Sequence, residues 1–358
     1  MIRRCTTLLL IIALLVCSGC GITGPAKIPS TAVLVVIDTA SEKNESWLIF
    51  LDKDLNAVSK RHLPYGNIGN VFTKPFEDDR NVYLFARGMG SSGFGRKVLI
   101  INKSTSSVQS FPTRLNKIEA IAANADSIFV ATNWNFKSYV GVIDIETSKE
   151  TIHTLEDCPY VPSMAYDTHL FIACSAPNMI DGNHADESYL YEANSRLDIL
   201  RKFNTSQYGV AAYNMLPYEG DLYYTNSEDS QARNIQTFVR FSIKERMFTN
   251  INTGHSEPWS LAVYRDQILI GHVYLADRDT HHDHATLTEY DTRTEEITNH
   301  SLPIGSCDQI AVIADRLYVM SDRTIGVFNA DDMSLIRKVH IPKHNNIYTY
   351  VTGIFTLR

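Results

Sequence analysis

From residue 32 to its last strand this chain repeats itself, and a repeat leaves few folds open. Nearly every apolar run there is short, rich in β-branched or aromatic residues and bounded by turn residues. No amphipathic helix longer than two turns is evident, and the runs come in groups of four. Residues 117–155 show the unit most clearly. Lys117–Ala122 reads as a strand, Asn124-Ala125-Asp126 as a tight turn and Ser127–Thr132 as a second strand. A polar loop, Asn133–Ser138, leads to a third strand, Val140–Ile145; the turn Glu146–Lys149 and a fourth strand, Glu150–Leu155, complete the unit. The first turn returns near Asp79, Asp126, Asp167, Asp221, Asp266 and Asp315, and the second near Ser104, Thr147, Ser195, Lys244, Thr292 and Asp331. Spacings of about 39 to 54 residues match a four-stranded propeller blade, which takes roughly 40–50.

That makes six complete units, and the two ends supply a seventh. Val33–Ile37, Trp47–Leu51 and Val58–Leu63 are three strands without a fourth, and Tyr348–Phe355 is a lone strand. Joining them closes a ring and leaves no open sheet edge at the seam. The expected fold is therefore all-β: a seven-bladed β-propeller of four-stranded antiparallel blades, closed by the C-terminal strand joining the N-terminal blade. Two β-sandwiches are the alternative, but one-sided sheets alternate apolar and polar residues. Third strands such as Val98–Ile101 are apolar throughout, and fourth strands such as Glu295–His300 are polar. The units resemble YVTN-type and quinoprotein-like propeller repeats. Ile128–Asn133 followed by Val140–Thr147 is the nearest match, with Val98–Asn102 and Leu317–Ser321 looser ones. That resemblance implies a fold and carries no quinone cofactor with it.

The N-terminus sets the expected compartment. Arg3 and Arg4 precede the apolar run Leu8–Val16, which is too short to span a bilayer and has the length of a signal core. Cys17-Ser18-Gly19-Cys20 follows and resembles the lipobox of bacterial lipoproteins, although Cys17 stands where that motif usually has Leu. The resemblance implies cleavage before Cys20 and lipidation of Cys20. The domains are then a signal peptide (1–19), a lipidated tether (20–31) and a propeller (32–358), on the extracytoplasmic side of a membrane in the cell envelope. Cleavage removes Arg3 and Arg4, so the formal charge of −7 becomes more negative by two. An acidic surface without long basic runs disfavours a nucleic-acid partner.

Loop lengths point to a working face. In such blades the loop between the second and third strands shares a face with the blade-to-blade links. Those loops, at Thr39–Ser46, Gly88–Gly95, Asn133–Ser138, Ser175–Ser188, Ser227–Asn234 and Ala276–Ala285, read as long and polar. Loops on a rigid scaffold are where binding residues concentrate. One of them carries Asp277, Asp279, His281, His282, Asp283 and His284, a donor set suited to a divalent metal ion; a solvated loop tip is the alternative reading. Asp181, His184 and Asp186 lie on the equivalent loop of another blade. Gly88-Met89-Gly90-Ser91-Ser92-Gly93 spells a dinucleotide fingerprint but leads into a strand, so no cofactor is expected there. Cys158 and Cys174 flank one hairpin and are expected to pair as a disulfide or to stay as two buried thiols, while Cys307 has no evident partner. The expected function is a membrane-anchored, non-enzymatic binding module for a protein, peptide or glycan ligand. A metal-dependent lyase, lactonase or hydrolase with its site on the same face is the alternative.

Overall fold

The computed structural model describes residues 28–40, 43–86, 96–177, 185–228, 233–274, 282–344 and 347–357. Among the described residues, twenty-eight strands form seven four-stranded sheets. Blade 1 contains β4 (Phe76–Glu77), β5 (Asn81–Phe85), β6 (Lys97–Asn102) and β7 (Val108–Pro112), and blade 2 contains β8 (Ala120–Ala123), β9 (Ser127–Trp134), β10 (Lys137–Asp144) and β11 (Glu150–Leu155). Blade 3 holds β12 (Met164–Tyr166), β13 (Leu170–Pro177), β14 (Ala185–Ala193) and β15 (Ile199–Asn204); blade 4 holds β16 (Val210–Tyr218), β17 (Asp221–Glu228), β18 (Thr237–Ser242) and β19 (Met247–Asn252). Blade 5 is β20 (Pro258–Tyr264), β21 (Gln267–His272), β22 (Ala285–Asp291) and β23 (Ile297–Leu302), and blade 6 is β24 (Gln309–Ile313), β25 (Arg316–Ser321), β26 (Thr324–Asn329) and β27 (Leu335–His340).

Blade 7 joins the two ends of the chain. Its order is β28 (Thr349–Thr356), β1 (Ala32–Ala40), β2 (Ser46–Asp52) and β3 (Ala57–Leu63), with β28 innermost. β28 and β1 run antiparallel in the register Leu34↔Thr356 to Ala40↔Thr349, so the expected closure beside Val33–Ile37 is the one observed.

The alternation of apolar and polar strands follows from where each lies in the blade. Third strands are packed on both faces, and β6 buries Val98 to Ile101 without a break. Fourth strands form the rim. β15 and β27 are exposed along most of their length, and the basic pairs Arg201-Lys202 and Arg337-Lys338, beside exposed Ile199, Leu200, Leu335 and Ile336, discourage pairing with other chains. Among the described residues the buried apolar side chains fall into seven clusters, each shared by two neighbouring blades. No blade has a core of its own, so the ring is the folding unit.

Polar ties reinforce the seams. Tyr218 Oη donates to the Arg265 carbonyl at 2.9 Å and Tyr264 Oη to Asp331 Oδ1 at 2.6 Å, each at the end of an inner strand and each reaching the next blade. The closing seam has the strongest one. Arg323, in the β25–β26 turn, donates from Nη1 and Nη2 to the Asp38 carboxylate at 3.0 and 3.2 Å. Its remaining donors reach the carbonyls of Ile341, Pro342 and Thr349. Asp38 is 0 % and Arg323 3 % exposed, so this fork-like pair is out of water with its donors satisfied.

Candidate functional site

The antiparallel blades divide the molecule into two faces. One carries the hairpins between second and third strands together with the blade-to-blade links. The other carries the two remaining sets of turns, and we call it the turn face. β1 begins beside the end of β28, so the chain enters the propeller on the turn face.

Among the described residues, two hairpins of this face are tighter than their sequence suggests. Asn133–Ser138 was expected as a polar loop, but β9 and β10 pair as far as Trp134↔Lys137. Only Asn135 and Phe136 turn the chain, at φ 50° and 59°. Asn133 Oδ1 accepts from Ser138 Oγ at 2.8 Å and from the Val161 N–H at 3.0 Å, which pins the hairpin to the link into blade 3. Its tip presents Trp134 and Phe136, 61 % and 60 % exposed, with Lys117 Nζ 6.0 Å from the Trp134 ring. A bulky residue in the left-handed region is strained. Thr39–Ser46 is likewise shortened, because Thr39 pairs with Ser46 and Ala40 donates to the Glu45 carbonyl.

The residues expected to bind metal divide. Asp277, Asp279 and His281 lie outside the described residues, as do Asp181, His184 and Cys20. His282 stacks on Tyr274 with ring centroids 4.0 Å apart, and His284 Nδ1 lies 3.4 Å from Ser301 Oγ. Among the described residues no group of three or more His, Cys, Asp or Glu side chains is placed to hold a metal ion. Cys158 and Cys174 are drawn together as a disulfide with Cα atoms 5.6 Å apart, tying the link before blade 3 to its second strand. Cys307 is fully buried, and burial pushes its thiol pKa up, which keeps it a thiol rather than a nucleophilic thiolate.

The axis holds a second candidate site, which the sequence reading missed. The link from β3 to β4, Pro64–Pro75, is 12 residues long, whereas the other six blade-to-blade links run five to eight. It crosses the axis on the hairpin face. Phe72 packs against Tyr213 of blade 4 and Trp259 of blade 5 at centroid distances of 6.1 and 6.2 Å. Asn214 exchanges hydrogen bonds with this segment, accepting from the Lys74 N–H and donating to the Phe72 carbonyl, both at 3.4 Å. Gln309 of blade 6 donates to the carbonyls of Thr73 and Thr352. Gly69 takes φ 78°, and a Cβ there would lie 3.1 Å from Thr352 Oγ1 in blade 7, so this close approach needs glycine. Length was the available signal, since a link twice the usual span must go somewhere other than the next blade.

Beneath the crossover lies an axial cavity of about 310 Å³ walled by all seven blades. Its lining is mostly apolar, with Ile121, Met164, Leu216 and Val263 among its walls. Lys74 and Glu77 are its charged groups. Glu77 accepts from Lys74 Nζ and Lys103 Nζ, both at 2.9 Å, and from Thr356 Oγ1 at 3.2 Å. Burial alone would raise its pKa, but the two ammonium groups outweigh that and hold the carboxyl down at about 2.

No family model matches the sequence, and no curated protein matches it. Solved structures share the fold at low identity. A putative 6-phosphogluconolactonase from Bacteroides uniformis superposes with a TM-score of 0.62 at 10 % identity, covering 91 % of this chain and 100 % of that one. Apo AztD from Citrobacter koseri gives 0.55 at 10 % identity over 90 % of this chain and 97 % of that one. Kuenenia stuttgartiensis hydrazine synthase gives 0.53 at 13 % identity over 76 % and 87 %. At such identities the likeness is one of fold.

Proposed function

We propose that this protein is an exported binding module, lipidated at Cys20 and held to a membrane by residues 20–31, that presents its hairpin face to a protein, peptide or glycan. The observation that carries this reading is the Trp134–Phe136 hairpin tip. Two large aromatic side chains stand more than half exposed on a strained turn, on the face opposite the one where the chain enters. Exposed aromatics of this kind supply contact area at little entropic cost, and binding surfaces are enriched in them. Anchored through the turn face, the hairpins point away from the membrane. The same reading has the Cys158–Cys174 bond form after export, where the compartment permits it.

The test is photo-crosslinking in cells, with a benzophenone amino acid in place of Trp134 or of Glu146, which sits in a turn on the other face. Discrete adducts from position 134 and none from 146 support the reading; the reverse pattern contradicts it. Phe136→Gly separates binding from folding. It removes one aromatic contact and relieves the turn, so the adduct should weaken while stability rises by about 1 kcal/mol.

A further inference from the structure

The axial cavity has a charge imbalance that its own walls do not resolve. Two ammonium groups, Lys74 and Lys103, converge on the single carboxylate of Glu77, each at 2.9 Å. Lys103 is buried behind Glu77, with 8 % of its side chain exposed, whereas Lys74 itself lines the cavity. Both carboxylate oxygens are engaged, Oε1 by Lys74 and Oε2 by Lys103 and Thr356. The cluster therefore carries one net positive charge at the edge of a mostly apolar space. A charge facing apolar walls lacks the solvation it has in water, and an anion brought beside it recovers part of that cost.

The way in is set by the topology. The Pro64–Pro75 crossover occupies the hairpin end of the axis, with Phe72 among Tyr213 and Trp259 at the starts of the inner strands β16 and β20. At the other end, Val263 and Val312 line both the cavity and a second recess formed with Tyr264, Arg265, Ala314 and Asp315 on the turn face. The recess therefore lies against the turn-face end of the cavity, away from the crossover. A volume of about 310 Å³ lies at the small end of the range for ligand pockets.

We propose that the axial cavity is a binding site for a small apolar monoanion, such as a medium-chain carboxylate, which enters from the turn face and sets its carboxylate beside Lys74 with its hydrocarbon part against Leu216, Val263 and Ile121. This site is separate from the hairpin face and stands whether or not that face binds a partner. Selectivity for an anion over a neutral molecule of equal size is its signature, because a merely greasy cavity would not make that distinction.

Calorimetric titration of the soluble 21–358 chain with octanoate and with octanol tests it. Saturable one-to-one octanoate binding is expected, with octanol at least tenfold weaker. Lys74→Met, which keeps the volume and removes the charge, should abolish that preference. Leu216→Trp or Val263→Trp should fill the cavity and remove octanoate binding with the melting transition retained. Absence of saturable octanoate binding, equal binding of octanol, or a tenfold anion preference that survives in Lys74→Met would overturn the proposal.

Discussion

His272 shows how a single buried group couples the fold to pH. The ring is 1 % exposed, Nδ1 donates to the Ser256 carbonyl at 2.8 Å, and Nε2 lies 2.9 Å from Thr288 Oγ1. Burial disfavours the imidazolium and brings the pKa from 6.5 down to about 4, while the Ser256 carbonyl opposes the shift. A base with a lowered folded-state pKa binds fewer protons folded than unfolded across that window. Its contribution is complete above about pH 6.5 and is lost as pH falls towards 4, by up to about 3 kcal/mol. Denaturant titrations at pH 7.0 and 4.5 should show a larger loss for the wild type than for His272→Gln. Equal losses would mean that His272 does not titrate in this interval. No feature of the local sequence marks this histidine, because its depressed pKa comes from strands that meet only in the folded blade.

At the scale of elements, strand order and closure were readable, whereas the tightness of the Asn133–Ser138 and Thr39–Ser46 hairpins was not. β11 begins at Glu150 and ends at Leu155, as its apolar and polar pattern predicts, and β28 pairs with β1 as the missing fourth strand required. The hairpin at Asn135-Phe136 is shorter than its polar sequence implies because Asn133 and Ser138 hydrogen-bond each other across the ladder instead of ending the strands. The Pro64–Pro75 crossover is marked in the sequence by length alone, because its partners Tyr213, Trp259 and Gln309 lie in blades far along the chain. Arg323 was invisible for a different reason: it lies 285 residues from Asp38, and only closure brings the two together. Removing one partner of a buried pair strands the other charge, so Arg323→Met should cost about 3–5 kcal/mol. Asp38→Asn combined with Arg323→Met should recover most of that. If the double variant is no more stable than Arg323→Met alone in denaturant melts, the pair does not hold the seam.

For the whole molecule, the proposed roles divide between two faces. Seven interblade cores tie the blades into one ring, so the proposed N-terminal attachment would orient all of it. The chain enters at Ala32 on the turn face, the side from which the axial cavity is proposed to fill, while Trp134 and Phe136 stand on the other. Strands of six to eight residues rise about 3.3 Å per residue, which separates the faces by roughly 20–26 Å. That difference is within reach of energy transfer between a fluorophore on the protein and an acceptor in the bilayer. The lipidated protein is reconstituted in vesicles containing an acceptor-labelled lipid, with the donor attached to Glu146→Cys or to Trp134→Cys. Greater transfer from position 146 is predicted; equal transfer, or greater transfer from position 134, would contradict the orientation on which the proposed function depends.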